Sequence, residues 1–193
     1  MLSVKWLVVS FIDTSLIDRA IVFATKAHAG TPRKGTQMPY ITHPMEAMGI
    51  VASITDRQEL LAAAALHDVV EDTPVSLEDL RREFGEEVAR LVYYETSPSD
   101  VVTTWRERKQ ANIDRLASSP LEAKVVAMGD KLSNLRAISR DYRRLGEGLW
   151  KRFNAPQGRE DVGWYYRGLA DALKELSGTA PYEEYRRWLE ETF

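Results

Sequence analysis

The stretch AAALHDVVEDT, residues 63–73, decides how this chain is read. Four alanines and two leucines between Leu61 and Leu66 are small or apolar on every side of a helix, so the run from Arg57 to Asp72 predicts one buried, central helix. It ends abruptly in four ionisable side chains, His67, Asp68, Glu71 and Asp72. Neighbours on a helix point about 100° apart, so His67 and Asp68 reach one centre only if it lies over the helix end, between their directions. Glu71 follows His67 by one turn and lies on its side, placing a carboxylate beside such a centre, where it can take a proton from bound water. Asp72 is the neighbour able to share that work. Standing alone, the same residues also suit a solvated helix end.

Further donors are needed to choose between these readings, and two present themselves. His43, in PYITHP, precedes a proline suited to the first turn of a helix. Asp130, in AMGDKLSNLRA, follows the apolar run Val125–Met128, with Asn134 one turn later on the same face. Each has an ordinary alternative: His43 as a cap or packing residue, Asp130 as a buried aspartate satisfied by a salt bridge. Taken together, two histidines and two aspartates make a mixed nitrogen and oxygen set suited to Mn²⁺, Fe²⁺ or Zn²⁺. Water acidified by such an ion attacks at neutral pH, and phosphate oxygens bind the same ion, which points to phosphate-ester hydrolysis.

The rest of the chain is read as helices. Residues 15–29, 42–54, 76–85, 86–95, about 103–117, 118–142, 146–153, 159–176 and 181–191 carry helical spacing or caps, separated by Gly, Pro and Ser-rich breaks such as SPSDVV, NAPQG and SGTA. Thr14 or Ser15 is the expected first cap, Ser76 caps the segment after Pro74, and Ser119, Pro120 and Glu122 predict a capping box. Two glycines and two prolines in GTPRKGTQMPY, residues 30–40, predict a structured exposed loop with Arg33 and Lys34 at its centre. No strand pair, repeat or low-complexity tract stands out, so the class is all-α. A length of 193 residues suits one unit: a core of about 15–177, a lead-in of 1–14 that is irregular or strand-like, and a C-terminal helix in 178–193.

The 26 basic and 29 acidic residues are scattered, leaving a net charge of −3 and no block that marks a nucleic-acid or anionic-membrane partner. A polyanionic ligand must therefore be met by local cations. Cysteine is absent, which removes disulfides, thiolate sites and cysteine nucleophiles and fits a cytoplasmic location. The apolar run in MLSVKWLVVSFI is too short to span a bilayer and lacks a small-residue cleavage site. Nothing sets the oligomeric state.

Six segments, HAGTPRKGTQMPYITHP, AAALHDVVEDT, FGEEVARLV, WRERKQ, MGDKLSNLRAI and LWKRFNAPQGREDVGWYYRGL, occur in an order that resembles the HD-superfamily hydrolases of the RelA/SpoT type, in particular the stand-alone small alarmone hydrolases. That resemblance implies a single HD-domain helical bundle. It also implies that His43, His67, Asp68 and Asp130 ligate a metal, usually Mn²⁺, and that Glu71 and Asp72 activate or position the water. The substrate it implies is guanosine tetra- or pentaphosphate, whose 3′ diphosphate leaves as pyrophosphate, giving GDP or GTP. Arg33 and Lys34 then stand beside the nucleotide, Asn134 in the substrate pocket and Lys109 at a phosphate.

Two departures accompany the resemblance: Gly129 and Ser133 stand where the family commonly has alanine and histidine, and TSPSD follows YYE where many relatives read Thr-Asp. Rival functions are an HD phosphohydrolase of another nucleotide or dinucleotide phosphate, and a binding module that hydrolyses nothing. His28 is expected to be structural, as a cap or a bond to the 30–40 loop. Trp164 is expected in the core, with one of Tyr165 and Tyr166 at the pocket. The pairs Arg81/Arg82, Arg143/Arg144 and Arg186/Arg187 are expected on solvated faces.

Overall fold

The computed structural model of the protein describes residues 12–96 and 104–193. The expected lead-in up to residue 11 and the SPSDVV break lie outside them. The described chain is all-α, in the order α1 (Ser15–Ala27), α2 (Thr42–Ala52), α3 (Gln58–Leu66), α4 (Val69–Asp72), α5 (Leu77–Phe84), α6 (Glu86–Glu95), α7 (Trp105–Ser118), α8 (Leu121–Leu145), α9 (Arg159–Ala172) and α10 (Ala180–Thr192). The only extended pairing among the described residues is a bridge between Pro32 and Pro39, which ties off the 30–40 loop.

The alanine run explains where α3 sits. Ala62 to Leu66 are wholly buried, and α1, α2, α6 and α8 all pack against this helix, because side chains of one carbon leave room for neighbours on each side. The long α8 crosses the centre of the bundle and carries α2 on one flank and α10 on another. Gly129 governs the approach of α2: a Cβ at that position would lie 2.6 Å from the Ala47 carbonyl oxygen and 2.8 Å from Val51 Cγ2. Only hydrogen fits there, and His43 is drawn onto α8 with the rest of α2.

Caps follow the sequence in some places and not in others. Ser76 opens α5 with a capping box to Asp79, and Thr104 opens α7 with another to Glu107. Gly85, at φ +90, turns the chain directly from α5 into α6, a conformation that costs glycine no steric strain. The box expected at Ser119 does not form. Its hydroxyl donates at 2.7 Å to the Leu116 carbonyl at the end of α7, and α8 starts after Pro120 without a side-chain cap. Thr14 holds the N-cap position of α1, but its hydroxyl donates to Asp18 rather than capping the backbone. The segment GEGLWKRF, expected to be helical, winds as a 3-10 helix over Gly146–Arg152.

The expected single helix over 57–72 is two helices. A turn at His67 and Asp68 separates α3 from α4, with both residues near helical dihedrals but Asp68 flattened to φ −95, ψ −5. Adjacent side chains that a straight helix would splay apart thereby converge, which is what the chemistry at this point needs.

Candidate metal centre

Three helical segments deliver the site. His43 enters from the first turn of α2, His67 and Asp68 from the turn after α3, and Asp130 from the middle of α8. His43 and His67 are 2% and 1% exposed, and Asp130 7%. The two Nε2 atoms lie 3.2 Å apart. Asp68 Oδ2 is 3.0 Å from His67 Nε2 and 3.4 Å from His43 Nε2, and Asp130 Oδ1 is 3.6 and 3.1 Å from the same atoms. One ligand atom each from His43, His67 and Asp130 falls within 4.8 Å of the others.

The donor chemistry fits a cation. His67 Nδ1 lies 2.8 Å from the Ala64 carbonyl oxygen, which can only accept, so Nδ1 carries a proton and the Nε2 lone pair faces the cluster. Burial alone would depress the His67 pKa, but Asp68 and Asp130 outweigh it and hold it well above the usual imidazole value. Burial likewise works against the ionised forms of Asp68 and Asp130, and is overcome for Asp68 by His67 and for Asp130 by Lys131, so both carboxyls stay well below the usual range. Two carboxylates and two imidazole nitrogens within hydrogen-bond distance of one another demand a positive charge, supplied either by a proton or by a divalent ion.

Further side chains brace these four. The Tyr40 hydroxyl donates to Asp68 Oδ2 at 2.6 Å; burial first, then Asp68 and Asp72, push its own pKa far up, so it stays a donor. Asn134 donates to Asp130 Oδ1 at 2.5 Å and accepts from Arg33 Nη2 at 3.0 Å. Lys131 pairs with Asp130 and, at 3.4 Å, with Glu95. Ser133 Oγ lies 2.8 Å from His43 Nδ1 and donates at 2.8 Å to Glu46 Oε2.

The cluster lines a cavity of about 340 Å³ together with Arg33, Lys34, Glu71, Lys109, Lys131 and Asn134, and Tyr165 and Tyr166 also border it. Lys109 sits 4.6 Å from the centre of the Tyr165 ring, and burial, followed by the charge of Lys131, lowers its pKa. Of the residues anticipated at the site, only Asp72 does not line this cavity. It is exposed and acts on the Tyr40 hydroxyl, which itself borders the cavity.

A sequence model of the HD domain matches residues 20–159. The chain belongs to the HD-domain family. Its relatives include the guanosine-3′,5′-bis(diphosphate) 3′-pyrophosphohydrolases MESH1 of Homo sapiens, 35% identical over 86% of this chain and 88% of that one, and of Danio rerio, 36% identical over 86% and 87%. This HD domain also superposes on the solved structure of a metazoan ortholog of SpoT that hydrolyzes ppGpp, with a TM-score of 0.78 and 27% identity across 94% of this chain and 98% of that one. In a probable pyrophosphohydrolase of the same name from Synechocystis, by contrast, the matched part is 17% of the relative's length.

The sequence alone did not single out Tyr40, Glu46, Glu95 or Lys131 in this HD domain, although Tyr40 stands three residues before His43 and Lys131 directly after Asp130. Ser133, which stands where the resemblance leads to a histidine, contacts His43. His28 caps α1 in position but forms no side-chain bond to the loop; both ring nitrogens lack a partner, and the ring packs 4.8 Å from that of Tyr40. Trp164 is only partly buried, under Arg106 at 4.2 Å, while Tyr165 and Tyr166 are buried and both reach the cavity. The six residues of the paired arginines are exposed, as expected.

Proposed function

We propose that this chain hydrolyses guanosine 3′,5′-bis(diphosphate), or its pentaphosphate analogue, at the 3′ diphosphate: water attacks the phosphorus bonded to ribose O3′, the O3′–P bond breaks, O3′ takes up a proton, and the diphosphate departs with the water oxygen as pyrophosphate, leaving GDP or GTP. One observation carries the reading. Four metal-competent side chains from three helical segments meet in the lining of a cavity that also carries Arg33, Lys34, Lys109 and Lys131, an arrangement suited to a small polyanion in a protein of net charge −3. The relatives named for this activity support it along nearly their whole length.

In this reading His43, His67, Asp68 and Asp130 hold the ion. Bound there, Mn²⁺, or Fe²⁺ or Zn²⁺ in its place, polarises phosphate oxygens and acidifies a coordinated water. Glu71, on the cavity wall, takes the proton that water gives up. Asp72 acts through Tyr40, whose hydroxyl keeps Asp68 Oδ2 in place. Arg33, held by Asn134, and Lys34 orient the nucleotide, and Lys109 meets a phosphate. Among the described residues no helix is long and apolar enough to cross a membrane; the absence of cysteine fits the cytoplasmic location that we propose. The docking of α10 on α8 and α9 supports the core and the C-terminal helix acting as one unit.

Metal-stripped protein given Mn²⁺ and a panel of nucleotides, with pyrophosphate and orthophosphate measured separately, tests the proposal. Pyrophosphate from the guanosine bis(diphosphate) is expected. Orthophosphate from a different nucleotide, or no product at all, overturns it.

A further inference from the structure

The geometry points to Ser133 as the residue that sets the His43 imidazole for metal ligation, with Glu46 behind it, a role that rests on the metal-dependent reading above. Ser133 is wholly buried on α8, one turn after Gly129. Its Oγ lies 2.8 Å from His43 Nδ1 and 2.8 Å from Glu46 Oε2. A hydroxyl has one proton to give, and a carboxylate only accepts, so the serine proton goes to Glu46. Oγ is then left to accept Nδ1–H from His43. That fixes the neutral tautomer with its lone pair on Nε2, the atom facing His67, Asp68 and Asp130. The opposite arrangement would aim an Nε2 proton into the cluster and block ligation.

The neighbours set the direction. Arg33 Nη2, which can only donate, also approaches His43 Nδ1, at 3.2 Å, and by itself would favour a bare Nδ1, but it has the closer acceptor Asn134 Oδ1 at 3.0 Å, whereas the Ser133 oxygen lies nearer to Nδ1, at 2.8 Å. On the far side, Glu46 Oε1 accepts from Arg136 at 3.1 Å, and Arg136 is held by both oxygens of Glu184 at 2.7 Å. The acceptor behind Ser133 is thus anchored from α10. Gly129 completes the device: the bare backbone lets α2 lie so close that a side chain as short as serine spans from α8 to His43. Ser133 touches a ligand and not the substrate, so it is a positioning residue.

Mn²⁺ titrated into chelator-stripped parent, Ser133→Ala and Glu46→Gln proteins, alongside the melting temperature of each without metal, tests the assignment. Ser133→Ala is expected to weaken Mn²⁺ binding roughly ten- to hundredfold. Glu46→Gln is expected to fall between the two, since its amide oxygen still accepts but carries no charge, and to melt like the parent because Glu46 is partly exposed. Both variants binding Mn²⁺ as the parent does overturns the inference. So does weaker binding by Ser133→Ala together with a lower metal-free melting temperature and parental affinity in Glu46→Gln, which assigns Ser133 to packing. A parent that takes up no Mn²⁺, Fe²⁺ or Zn²⁺ removes the metal-dependent reading instead, and this inference with it.

Discussion

The Nε2 atoms of His43 and His67 face one another at 3.2 Å, although the two residues belong to different helical segments and are 24 positions apart. With the Nδ1–H tautomers argued above, two neutral imidazoles would present lone pair to lone pair at that distance, so the pair needs a shared proton or metal ion. With Asp68 and Asp130 beside it, the pair concentrates four donors on one point. Replacing Asp68 by alanine removes a donor that contacts both imidazoles. Asp68→Ala is therefore predicted to abolish measurable Mn²⁺ binding and turnover, read by titration calorimetry and product release; saturable binding at parental affinity would contradict this.

Glu71 lines the same cavity as the four donors. Its substitution separates holding the ion from moving a proton. Glu71→Gln is predicted to keep parental Mn²⁺ affinity while losing roughly 10²- to 10⁴-fold in kcat, the usual worth of a general base. Full activity in this variant would remove the proton-accepting role.

The raised His67 pKa gives the metal-free protein a distinctive pH dependence. A group protonated more readily when folded contributes stability that is complete below its unfolded value of 6.5 and fades as pH climbs through the raised folded value. The metal-free melting temperature is predicted to fall as pH rises above 6.5, while the increment gained on adding Mn²⁺ grows, because the ion no longer competes with that proton. A melting profile flat or rising across this range, in the metal-free protein, would speak against the cluster.

Gly129→Ala tests the packing that brings α2 to the site. The added methyl would meet a backbone oxygen at 2.6 Å, which cannot rotate away as a side-chain tip can. A loss of about 1–3 kcal/mol in urea unfolding is predicted, as for other overpacked sites, together with weaker Mn²⁺ binding. Parental stability would mean that α2 and α8 are not in contact as described.

The helical class, most helix bounds and the residues that converge on the site were legible, because amphipathic spacing and motif order are local or sequential properties. What stayed hidden depends on contacts between helices. Nothing in the spacing of His43, Glu46 and Ser133 says that a serine on α8 will span to α2, since this follows from the close approach at Gly129. The turn at His67 and Asp68 was masked by the strong helix propensity of the alanines before it. Ser119 carried the signature of a capping box, but its hydroxyl was taken by the preceding helix. Asp72 was grouped with Glu71 as an adjacent acid, yet adjacent positions on α4 face different ways, and only Glu71 turns to the cavity.

Anomalous diffraction from crystals of the chain grown with Mn²⁺ tests the central claim most directly. The account predicts one strong peak bound by Nε2 of His43, Nε2 of His67 and carboxylate oxygens of Asp68 and Asp130. A peak held by other residues, or none at this cluster with Mn²⁺ at saturation, would contradict it.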